Sequence, residues 1–208
     1  PENVSTLEGA LIEPLAVGFH AAIQGGACIG QKAVVMGAGC IGLVSMMALK
    51  ARGVGEVYVV DVMDKRLEKA MELGATGVIN GAEENVEEKI RQITDGKGVD
   101  LVVETAGTEI TTRQAISIAK KGSNIVLVGY SKTGEMTLPM SLVLDKELTF
   151  KTVFRYRHIY PIAIEAVASG KVNLKGIVTN IFDLDDVQNA MDQSVNNKAD
   201  IVKAVIRI

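Results

Sequence analysis

Apolar positions along this 208-residue chain alternate between two rhythms. Short aliphatic runs with hardly a polar break, at about 33–37, 57–61, Val99 to Thr105 and Asn124 to Gly129, read as strands buried on both faces. Between them the apolar positions fall three or four apart. Leu67, Ala70, Met71 and Leu73 line one side of a helix that opens at Asp64 and ends at Gly74. Similar spacing predicts helices at about 40–52, Asn85 to Thr94, 110–119 and 158–169. Val78-Ile79 makes a short third strand, and Leu148 to Phe154 a sixth after the polar loop 131–137. Val178 to Phe182 reads as extended. Asp183 to Asp186 caps a helix at about 185–195, and Ile201 to Ile208 is a closing strand. Ahead of the first strand, Ser5-Thr6-Leu7-Glu8 is a capping box for a short helix ending near Ile12. Pro14 then suits the first turn of a second helix, stopped by Gly25-Gly26.

Strands that alternate with helices predict right-handed crossovers and an α/β, doubly wound, six-stranded parallel sheet flanked by helices. Composition agrees: 48% of residues are hydrophobic but only 4% aromatic, as expected of an aliphatic sheet core. The net charge of −3 and the lack of any basic block argue against a nucleic-acid partner. Ala33 to Leu49 is nearly free of charge, yet three glycines interrupt it, so it reads as strand plus buried helix and not as a membrane span. Cys28 and Cys40 form no paired framework, which suggests a reducing compartment, and with no signal peptide visible the cytoplasm is the expected location.

The chemistry concentrates at Gly37-Ala38-Gly39-Cys40-Ile41-Gly42, between a buried strand and a helix. Gly37 supplies a tight turn, Gly39 lets backbone approach a pyrophosphate, and Gly42 lets helix pack on strand, as in a Rossmann dinucleotide site. The phosphates then meet free amides at a helix N-terminus. Asp61 ends the next strand, where a carboxylate accepts ribose hydroxyls; alternatively it caps the following helix. A carboxylate there disfavours a 2′-phosphate, which points to NAD over NADP, although Lys65 and Arg66 nearby supply cations.

The segment from Glu8 to Gly18, with Ile12-Glu13-Pro14 at its centre, resembles the entry to the cofactor domain of zinc-dependent medium-chain dehydrogenases, and of their sorbitol and xylitol (polyol) branch in particular. Gly37–Gly42, Asp61, Glu104-Thr105-Ala106-Gly107, Val128-Gly129 and Val153-Phe154-Arg155-Tyr156 follow in that family's order. The likeness covers the whole chain and is most specific at its two ends, Ile12-Glu13-Pro14 and Phe154-Arg155-Tyr156.

The resemblance implies that Glu13 faces a zinc site, binding the metal or its water. It implies that Arg155 and Tyr156 hydrogen-bond the substrate hydroxyls, and that Arg66 lies at the adenosine end. It further implies that Cys40, Ile41, Thr105, Ala106, Val128, Gly129, Tyr130, Val153, Phe154 and Arg155 line the cofactor. The remaining zinc ligands belong to an N-terminal GroES-like catalytic domain that this chain, opening at Pro1, lacks. His20 and His158 have no metal-ligand spacing. Residues 1–30 then connect to that domain, 31–182 bind NAD, and 183–208 return toward it. The expected activity is hydride transfer between a secondary alcohol, a polyol, and NAD, in a homo-oligomer (dimer or tetramer), with little catalysis by this chain alone. Rival readings are a threonine or simple-alcohol dehydrogenase, a non-catalytic NAD(H) sensor and a methyltransferase.

Overall fold

In a computed structural model, which describes residues 1–197 and 200–208, the first three strands are Lys32–Met36 (β1), Glu56–Asp61 (β2) and Gly77–Asn80 (β3). Val99–Glu104 (β4), Ala119–Leu127 (β5) and Thr149–Thr152 (β6) complete one parallel sheet in the order β3-β2-β1-β4-β5-β6. The strand order reverses between β1 and β4. Their carboxyl ends therefore diverge into a crevice, the switch point where open α/β sheets bind ligands.

Each central strand is aliphatic and buried: Val34, Val35, Met36, Leu101, Val102 and Val103 are wholly inaccessible. Helices Thr6–Gln24 (α1), Cys40–Ala51 (α2) and Tyr160–Ala168 (α7) belong to the larger core, on one face of the sheet. Val86–Ile93 (α4) and Glu109–Ile118 (α5) belong to the smaller core on the other, and Asp64–Glu72 (α3) follows β2. The doubly wound, six-stranded parallel sheet expected from the sequence is what forms.

Local departures have physical causes. The expected break at Pro14 is absent: α1 is one helix, capped by Ser5 and Glu8, with Pro14 inside it. Proline removes one helical hydrogen bond, a penalty of about 3 kcal/mol. Burial of Leu11, Ile12, Leu15, Ala16 and Phe19 along the same helix offsets that. Helix Met140–Asp145 (α6) forms where none was expected. β6 stops at Thr152, so Val153 to Tyr156 follow the strand instead of ending it. The capping role expected of Asp183 to Asp186 is not met by side chains: Leu184–Asp186 is a 3₁₀ turn and Val187–Asn196 (α8) begins without a side-chain cap. Asn180–Asp183 (β7) and Ala204–Arg207 (β8) pair in parallel as a separate two-stranded sheet.

Candidate cofactor and substrate site

The glycine turn leaves β1 at its carboxyl end. Gly37 adopts φ of 97°, a left-handed conformation costly for any side chain. Gly39 is the N-cap of α2, and a Cβ placed on it would meet nothing within 4 Å. The helical ladder starts with the Leu43 amide donating to the Gly39 carbonyl, 2.9 Å, so the amides before it lack intrahelical partners. Open space over a helix N-terminus with free donors is a cradle that fits a pyrophosphate.

Asp61 holds this turn in place. Its Oδ2 accepts the Ala38 amide at 2.7 Å, and its Oδ1 accepts the amides of Val62, 2.8 Å, and Met63, 3.1 Å. Arg66 Nη1 lies 4.0 Å from Oδ2. The amide bonds are much the shorter contacts, and they dominate: the carboxylate ties the end of β2 to the turn after β1. Its orientation is thereby fixed.

A second tie comes from β4. Thr105 Oγ1 donates to the Met36 carbonyl at 2.8 Å. Glu104 is only 1% exposed and accepts from the Ala106 amide, 2.9 Å, the Gly107 amide, 3.0 Å, and Thr111 Oγ1, 2.8 Å. Burial pushes its carboxyl above the ordinary range, against those hydrogen bonds. It is a sheet-end carboxylate that shapes the loop. The loops after β4 and β5 touch through backbone: a Cβ on Gly129 would lie 2.2 Å from the Gly107 nitrogen.

These parts enclose a cleft of about 600 Å³ lined by Gly37, Gly39, Cys40, Ile41, Gly42, Asp61, Arg66, Thr105 and Ala106. Val62, Met63, Gly81, Thr108, Ile110, Thr111 and Gln114 also line it, and sequence reading missed them. Val62 and Ile110 remain exposed there as apolar walls. Their available signal was position, since both closely follow the carboxyl end of a strand.

Val128, Gly129 and Tyr130 follow β5, and Val153, Phe154, Arg155 and Tyr156 follow β6, outside that lining. Tyr130 and Phe154 meet edge to face at 6.2 Å, with Arg155 5.3 Å over the Phe154 ring. Glu13 is exposed on α1, and its charge acts on both Tyr156 and Cys40. Hydrogen bonding to Tyr160, burial and the Glu13 charge raise the Tyr156 phenol to about 12. Burial raises the Cys40 thiol, and the Lys203 charge opposes the rise. Among the described residues no group of three or more His, Cys, Asp or Glu can hold a metal ion. Glu13 offers a single carboxylate, so a zinc site does not fit within these residues alone.

The sequence profile of the zinc-binding dehydrogenases matches residues 40–169. The chain belongs to the zinc-binding dehydrogenase family. It is 47% identical over all its 208 residues to YdjJ, a zinc-type alcohol dehydrogenase-like protein of Escherichia coli K12, covering 59% of that protein. It is 36% identical to the sorbitol dehydrogenase of Bacillus subtilis 168, over 99% of this chain and 58% of the relative. An alcohol dehydrogenase (rspB) of Escherichia coli CFT073, solved with NADH, superposes with a TM-score of 0.91 at 26% identity, over 98% of this chain and 59% of that one. The chain thus spans somewhat under two thirds of the length of these proteins. No described helix is long and apolar enough to cross a membrane.

Proposed function

We propose that this chain is the cofactor-binding portion of an NAD-dependent, zinc-dependent polyol dehydrogenase of the sorbitol or xylitol type. The observation that carries the reading is the Asp61 carboxylate fixed beside an open glycine turn at the switch point of the sheet. NAD, when bound, supplies the hydride acceptor. The chain's own residues orient it: the turn and the N-terminus of α2 take the pyrophosphate, and Asp61 takes the adenosine ribose. Thr105, Ala106, Val128, Gly129 and Tyr130 form the strand-end backbone over which the nicotinamide lies, with Val153, Phe154 and Arg155 beyond it. A carboxylate at Asp61 disfavours a 2′-phosphate, so NAD is preferred to NADP.

On the substrate side, Arg155 and Tyr156 hydrogen-bond the polyol and Glu13 faces the metal region as one donor. Its other ligands lie outside the described residues, and zinc remains a feature of the intact enzyme. Residues 1–30 connect to the remainder of that enzyme and 183–208 return toward it; Leu184, Val187, Met191 and Val195, left exposed here, support the second of these. Among the described residues β6 pairs only with β5, and its free edge suits a symmetric contact in a dimer or tetramer. The working compartment is the cytoplasm.

The test is sorbitol- or xylitol-dependent formation of NADH by the full-length protein that carries this chain. Oxidation of polyols well ahead of threonine and of simple secondary alcohols supports the reading. NADH binding with no turnover of any alcohol favours the sensor instead.

A further inference from the structure

Resting on the polyol reading, one pair of side chains beyond β6 specifies the substrate class further. Tyr156 and Tyr160 hold their hydroxyl oxygens 3.1 Å apart, with ring centroids 5.2 Å apart at 34°. Tyr156 lies in the bend after β6, whereas Tyr160 opens α7 with Pro161 in the first turn. Between them His158 takes φ of 58° in a bend of the chain. The backbone therefore sets the pair, and no helical spacing does.

Tyr156 is half-buried on the core that also carries Cys40, Ile41 and Val128, while Tyr160 is 40% exposed. Tyr156 thus packs on the same core as Cys40 and Ile41, which line the cofactor cleft. Each phenol carries one proton and two lone pairs, so one hydrogen bond between them leaves one donor and three lone pairs free. Adjacent hydroxyls of a polyol also stand about one hydrogen-bond length apart. A vicinal diol can satisfy both phenols at once, and a monohydroxy alcohol only one of them.

We propose that the Tyr156–Tyr160 hydroxyl pair is a subsite for two adjacent hydroxyls of the substrate, with Tyr160 as its specificity-determining residue. The bland alternative is that Tyr160 serves only as a ring stacked on Tyr156.

Tyr160→Phe in the full-length protein keeps the ring and removes the hydroxyl. Xylitol binding is read by saturation-transfer NMR, and KM is measured for xylitol and for a monohydroxy secondary alcohol. The expected result is an increase of about threefold to tenfold in Kd and KM for xylitol, the worth of one hydrogen bond. The KM for the monohydroxy alcohol, and NADH affinity, stay within about twofold, well below that hydrogen-bond effect. Unchanged xylitol binding, or equal losses for both alcohols, overturns the subsite. A wild-type protein that binds xylitol but not NADH overturns the cofactor reading separately, since the xylitol arm needs no turnover.

Discussion

The carbonyl oxygen of Gly37 lies 1.8 Å from the point that a Cβ on Gly42 would occupy. No neighbouring side chain can yield there, because the obstacle is backbone. The two glycines thus set how closely α2 approaches the end of β1, and that approach positions the free amides of the helix. Gly42→Ala should push α2 away from β1 and cost about 1–3 kcal/mol of stability, as overpacking does. Thermal unfolding reads the stability loss, and NADH affinity should fall with it. Gly39→Ala, with open space at its Cβ, should unfold like the wild type while still weakening NADH.

Lys146, just beyond α6, donates to the carbonyls of Ile116, 3.0 Å, Ser117, 2.6 Å, and Ala119, 2.9 Å, closing the C-terminus of α5 with a cation. Lys146→Met leaves those carbonyls without their donor. A destabilisation of about 1.5–3 kcal/mol is expected, as for hydrogen bonds to charged groups. Chemical denaturation measures it, and NADH affinity should stay close to wild type.

Glu104 titrates above the ordinary carboxyl range because it is buried. A carboxyl raised on folding contributes stability that is complete below its unfolded pKa and is lost as pH rises through the folded one. Comparing Glu104→Gln with wild type across that window should show the difference shifting in the variant's favour as pH rises. A pH-independent difference would mean that the three donors to Glu104 cancel the effect of burial.

Much of this molecule is legible in its residue pattern. The six strands, the glycine turn and Asp61 were readable because strands buried on both faces leave unbroken aliphatic runs and the turn needs particular glycines. The single helix α1 was not, because a proline's local penalty says nothing of the buried face that outweighs it. α6 escaped notice because six residues carry too little periodicity. Within the site, the three amides bound by Asp61 and the Tyr156–Tyr160 pair lie in the segments that follow β1, β2 and β6. No spacing rule encodes those.

Calorimetric titration with NADH and NADPH, run on wild type and on Asp61→Asn, tests the account most directly. Asparagine keeps the size of Asp61 but presents an amide donor in place of one carboxylate oxygen, where the Ala38, Val62 and Met63 amides need acceptors. Wild type should bind NADH more tightly than NADPH, and the variant should lose about tenfold in NADH affinity with the preference gone. Equal affinity of wild type for both cofactors, or NADH binding untouched by Asp61→Asn, would contradict it.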